Sequence, residues 1–181
     1  MHRFTFALLA LLFAASGLYG QEMKSPYAGE QVREITSLSP QQIQGYLSGH
    51  GMGLAKAAEL NHHPGPKHVL ESAKELKLTE LQKRQTQEIY DDMHRQAIQL
   101  GKRYIHLEQE LDRLFAEGNV DEEKLRTQIS KISEIQGKLR FVHLNAHLKM
   151  LEVLTEEQIE RYDVSRGYRN HQHPKAHKKH H

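Results

Sequence analysis

From Thr79 onward the apolar residues fall at alternating steps of three and four. Tyr90, Met93, Ala97, Leu100, Tyr104, Leu107, Leu111 and Leu114 form one such series, a seven-residue repeat held for about four heptads. Leu125, Ile129, Ile132, Gln136, Leu139, His143, Ala146, Met150 and Val153 form a second. The pattern predicts a helix from Thr79 to Gly118 and another starting after the capping candidate Asp121, roughly 57 Å and roughly 46 Å long. With Gly118-Asn119 between them they make an antiparallel hairpin. Upstream the pattern is broken. Ser39-Pro40-Gln41-Gln42 offers a cap, a Pro at the first helical position and a Gln at N3, predicting a short helix to about Leu47. Glycines at 45, 49, 51 and 53 interrupt it, Leu54 to Leu60 adds a turn or two, and Asn61-His62-His63-Pro64-Gly65-Pro66 is a firm break. Val69, Leu70, Ala73 and Leu76 then recur at helical spacing. No strand pattern is present, so the predicted class is all-α.

Beside the seams lie Ile89, Ile98 and Ile105 on one long helix and Ile135, Val142, Leu144, Leu148 and Leu151 on the other. A hairpin alone leaves these exposed, and the short N-terminal helices cover only part of them. An intertwined homodimer is the expected solution. The flanks it leaves open, represented by Ile98, Ile105, Val142 and Leu148, are the candidate surface for unfolded clients.

Residues 1–20 read as an export leader rather than as part of the fold: Met1-His2-Arg3, an apolar run from Phe4 to Phe13, then small residues. Cleavage after Gly17 or Gly20 would release the chain into the periplasm; an uncleaved anchor is the rival reading. Residues 21–38 are mixed and polar and are expected to form an extended arm, residues 39–168 the helical domain, and residues 169–181 a disordered tail rich in His and Lys.

Composition narrows the chemistry. Lys and Arg number 25 against 23 Asp and Glu, a formal charge of +2, which excludes a dedicated nucleic-acid binder. Four of the basic residues lie in the tail, so the body is slightly acidic. There is no Cys, and so no disulfide, thiolate site or thiol nucleophile. No P-loop, nucleophile elbow or complete dinucleotide fingerprint is present, and no enzyme activity is expected.

Two pentapeptides repeat, Leu78-Thr79-Glu80-Leu81-Gln82 and Leu154-Thr155-Glu156-Glu157-Gln158. Each is a capping box, in which Thr accepts from the N3 amide and Gln reaches back to the cap. One opens the hairpin and the other follows it. These paired LTxxQ motifs, with the export leader and the long amphipathic helices, resemble the Spy/CpxP group of periplasmic proteins. The stretch from Gly51 to Asn61, Pro64-Gly65-Pro66 and the His-rich end are similar to a subgroup of that superfamily. The resemblance runs from about Tyr27 to Tyr168. It implies an antiparallel helical dimer with Leu78, Thr79, Gln82, Leu154, Thr155 and Gln158 as architecture. It also implies an ATP-independent chaperone or envelope-stress protein acting on unfolded or misfolded envelope proteins, with a membrane sensor as a further partner. The chain departs from the Spy pattern in lacking a strongly cationic body. Wider relatives bind or sense heavy metals, which supplies the alternative: a periplasmic metal sensor or buffer.

The 14 His residues are where metal chemistry would lie. Imidazole suits Zn, Cu and Ni; no cofactor is required by the chaperone reading. His171, His173, His177, His180 and His181 crowd the tail, where binding must meet the entropy of ordering a chain. His143 and His147 share a helix face at i, i+4, a spacing that can hold one ion, although a hydrogen-bonded seam histidine fits the same position. His50, His62, His63 and His68 cluster in the broken N-terminal region as components of a composite site with the helix pair. His94, beside Asp91, is expected on a solvated face.

Overall fold

The computed structural model describes residues 24–169, and within them every regular element is helical. The leader and the tail histidines 171, 173, 177, 180 and 181 lie outside the described residues. The described residues before Arg33, 24–32, belong to a separate small unit, with a turn closed from Ala28 N–H to the Ser25 carbonyl and a 3-10 turn Glu30–Val32. From Arg33 the main body carries α1 (Pro40–Leu47), α2 (Lys56–Glu59), α3 (Pro66–Glu71), α4 (Glu80–Ala116), α5 (Glu122–Val153) and α6 (Glu156–Ser165). Among the described residues no helix is long and apolar enough to cross a membrane.

The 37-residue α4 and the 32-residue α5 form the antiparallel hairpin that the heptads predict. Gly118 makes the turn in left-handed conformation (φ 63°), and Asn119 N–H closes it onto the Leu114 carbonyl. Asp121 caps α5 by accepting from Lys124 N–H at 2.8 Å. On α5 the seam holds at Ile132, Leu139, His143, Ala146 and Met150. Toward the turn it shifts by one position: Gln128 is buried, donating to the Leu107 carbonyl at 2.7 Å, while Ile129 is exposed.

The segment read as an extended arm is, in its described part, a run of turns, and its C-terminal end belongs to the core. Ile35 and Leu38 are buried with Tyr104, Ile105, Ile132, Ile135 and Leu139 in one cluster. Thr36 bonds to Asp112, and the Ser37 hydroxyl donates to Glu108 at 2.8 Å, which pins the segment along α4. This corrects the reading of Ile105 as client surface, since it is only 8% exposed. Ile98 and Val142 are half-buried, and of the four candidates Leu148 alone is exposed.

A second cluster gathers Val69, Leu76, Leu78, Met150, Leu154 and Tyr162, joining α3, α5 and α6 around the two pentapeptides. Both pentapeptides form full capping boxes. Their glutamines also meet each other: Gln82 Nε2 donates to Gln158 Oε1 at 2.8 Å, and Gln158 Nε2 donates to Gln82 Oε1 at 3.1 Å. The spare Nε2 protons reach the Val153 and Leu76 carbonyls. The repeat is therefore an amide clasp between the start of α4 and the start of α6. Replacing Gln158 with Ala removes the reciprocal half of the α6 capping box, in which Gln158 Oε1 accepts from Thr155 N–H, and leaves Gln82 and the buried Leu76 carbonyl short of partners. A loss of about 2 kcal/mol is expected, read from urea unfolding. Retained stability would mean that the clasp is incidental.

Candidate metal centre

The cavity of interest lies at the level of α5 between these clusters, after Leu139 and before Met150. It has a volume of about 410 Å³ and is bordered by the glycine-rich loop 49–53, α2, the Gly65-Pro66 corner, the first half of α4 and the C-terminal third of α5. His50, His68, His94, His143 and His147 all line it, as do Met52 and Met93.

His143 and His147 come from one face of α5 and are 4% and 8% exposed. His147 Nδ1 donates to the His63 carbonyl at 2.7 Å, which leaves Nε2 as the free lone pair. His94 on α4 does the same in the other tautomer, since its Nε2 donates to the Ser48 carbonyl at 2.9 Å. A backbone carbonyl holding one ring nitrogen is the usual support of a metal-binding imidazole. His143 differs: its Nε2 is buried with no partner at all. A buried polar atom left unsatisfied is costly and asks for an explanation.

Glycines let the backbone approach each ring. A Cβ on Gly49 would stand 2.8 Å from His94 Cδ2, and one on Gly65 would stand 2.8 Å from His147 Cε1 and 3.0 Å from its Nε2. Gly51 lies against His143, with its Cβ position 3.5 Å from Nδ1. The loop that looked like a broken helix is a backbone wall fitted to imidazoles.

The electrostatics keep the two α5 rings neutral. Burial, and then the neighbouring His147 and His94, push the His143 imidazole down to about 4. Burial also lowers His147, against the opposing pull of its bond to the His63 carbonyl and of Glu59. Neutral imidazole is the form that binds a metal. Glu59 supplies the one carboxylate of the wall. Its Oε1 accepts from Tyr162 at 2.6 Å and Tyr168 at 3.1 Å, while its Oε2 is buried and unpartnered, 3.7 Å from His147 Nδ1.

Several expectations change here. His94 is not on a solvated face with Asp91; it stacks on Tyr90 with ring centroids 5.3 Å apart and turns into the cavity, because Ser48 offers its ring a carbonyl. Of the N-terminal histidines, His50 and His68 line the cavity and His63 contributes its carbonyl. His62 points elsewhere, with Nδ1 2.7 Å from Asp163 Oδ2. Among the described residues, no three His, Asp or Glu side chains stand close enough together to hold an ion as they are.

Compared with known proteins, residues 48–161 match the family model described as heavy-metal resistance, well over half of the chain. The match spans both pentapeptides and all five cavity histidines. No curated protein and no solved structure matches.

Proposed function

The chain belongs to the heavy-metal-resistance family, part of the Spy/CpxP-like helical superfamily, and from that premise we propose that it is an exported, periplasmic metal-binding sensor or buffer. The observation that carries this reading is the buried, partnerless Nε2 of His143, in a cavity shared with two imidazoles whose other nitrogens are already held by carbonyls. His143 and His147 are the core ligands. His94 completes the set after a modest side-chain rearrangement, which the 410 Å³ of space permits. Zn, Cu and Ni are the ions that imidazole nitrogen suits. The tail histidines act as a second, weaker reservoir, and a membrane-bound sensor is the partner that would read the loaded state.

Calorimetric titration of the full chain and of a chain ending at Arg169 tests this. Saturable binding is expected to survive removal of residues 170–181 and to weaken at least roughly tenfold in His143→Gln. Loss of all binding with the tail would return His143 and His147 to a structural role.

A second reading draws on a different face. Phe141 is 64% exposed, and with Leu100 and Val142 it lines a separate groove between α4 and α5. Together with Leu148, that apolar surface suits partly unfolded envelope proteins or a second copy of the chain in a homodimer. Suppressed aggregation of a denatured protein at stoichiometric ratio supports the chaperone activity; no suppression, with or without metal, removes it.

A further inference from the structure

The donors around the cavity are not only imidazoles. Met52 and Met93 both line it, whereas the other methionine in the helical body, Met150, is fully buried in the second core cluster. Met52 sits between Gly51 and Gly53 with φ 39°, a left-handed conformation that a side chain rarely adopts. Either neighbouring glycine would take that conformation at no steric cost. A residue held in it despite the strain invites a functional explanation. In the metal-free chain its sulfur rests against α1, from which it would have to swing to reach an ion. Gly45 on α1 lies beneath its sulfur, and a Cβ there would stand 2.2 Å from Sδ.

Charge points the same way. Lys56, Lys67 and Arg166 line the cavity against one carboxylate, Glu59, whose Oε1 accepts from two tyrosines and pairs with Arg166 Nε at 3.7 Å, so the two lysines are the excess positive charge. A divalent ion meets about twice the repulsion from these cations that a monovalent ion meets. The nitrogen and oxygen donors also fall short of a site by themselves, since no three of them converge among the described residues. Neutral imidazole and thioether donors, a low coordination number and a cationic wall are the conditions under which a soft monovalent ion is favoured. Thioether is the donor that selects Cu(I). Silver(I) shares that preference and carries no redox chemistry.

Resting on the metal-binding reading above, we propose that the preferred ion of this cavity is Cu(I) or Ag(I), held by His143 Nε2 together with the thioethers of Met52 and Met93. Met52 is partly exposed and unbranched, so it can swing onto an ion entering past the loop. Met93 and His143 are buried and form the fixed part of the site.

The test uses the full chain with methyl-labelled methionine and Ag(I) as the probe. The Met52 and Met93 methyl resonances, assigned from single Leu variants, are expected to shift together over the first equivalent while Met150 stays still. In a competition assay against a Cu(I) chelator, Met52→Leu with Met93→Leu is expected to weaken Cu(I) binding roughly tenfold or more and to weaken Zn(II) binding by a clearly smaller factor. Met to Leu is a volume-conserving exchange that cores tolerate, and Met52→Leu alone at its part-exposed position repeats the test should the double variant unfold. Stationary Met52 and Met93 methyls, or unaltered Cu(I) affinity in the variants, overturn the proposal. If His143→Gln still weakens Zn(II) in that event, the cavity takes a borderline divalent ion and only this inference fails. If His143→Gln changes the affinity of no metal, the cavity reading itself falls and takes this inference with it.

Discussion

Gly101→Ala is expected to destabilise the protein by about 2–3 kcal/mol, although alanine is the better helix former. Gly101 lies in the middle of α4 where α1 crosses it, and a Cβ there would stand 2.3 Å from the Tyr46 carbonyl oxygen and 2.9 Å from its carbon. Those are backbone atoms, so no rotamer relieves the clash and α1 must move away. Its movement would separate the Tyr46 and Tyr104 rings, now 4.7 Å apart, and shift Ser48, whose carbonyl orients His94. Weakened metal binding should therefore accompany the lost stability. Gly137→Ala on α5 is the control. Nothing lies within 4 Å of its Cβ position, so it is expected to gain about 0.5–1 kcal/mol from reduced freedom of the unfolded chain. Urea unfolding of the two variants gives opposite signs if α1 packs on α4 as described. Equal, small effects would mean that the crossing is loose.

The hairpin was legible because its information is local and repeated. Each heptad restates the same face, and Asp121, Thr79 and Gly118 mark its ends with side chains that act within one turn. The pentapeptides were legible as caps for the same reason. Their meeting was not, since nothing in either one indicates that Gln82 and Gln158 face each other across 76 residues. The cavity was half legible. His143 and His147 could be paired from their spacing on one helix, but the wall opposite them depends on how a loop folds back, which no periodicity encodes. His94 looked solvated beside Asp91 because its true partner, the Ser48 carbonyl, belongs to the backbone and carries no sequence signature. The glycines at 49, 51 and 65 were read as helix breakers. Their spacing relative to three imidazoles became meaningful only once the chain was closed. Ile105 was misplaced for a related reason: the segment that covers it, Ile35 to Leu38, has no helical period to announce it.

Acid should weaken the metal-free protein chiefly through His143. Its imidazole is pushed down to about 4 from the ordinary 6.5 by burial first, with the positive forms of His147 and His94 adding to the effect. The unfolded chain therefore binds a proton at this residue more readily than the folded one. The stability linked to it is fully present above pH ~6.5 and is lost progressively as pH falls toward the folded value. A depression of this size corresponds to a loss on the order of 2–3 kcal/mol over that interval. His147 shifts in the same direction, tempered by the His63 carbonyl and by Glu59 on α2. In the presence of a chelator, His143→Gln is expected to flatten the fall in thermal stability between pH 7 and pH 4.5, because a neutral amide of similar reach takes up no proton. His106→Gln, at an exposed position on α4, is expected to follow the parent. Parallel curves for all three proteins would place His143 in contact with solvent and remove the buried lone pair on which the metal site depends. A flattened curve carries a functional consequence as well. A ligand that stays unprotonated well below pH 6 goes on competing for metal in mild acid, where an imidazole free in water has already yielded to protons. Metal binding by a chain ending at Arg169 should accordingly weaken less between pH 7 and pH 5.5 than binding by the isolated tail peptide.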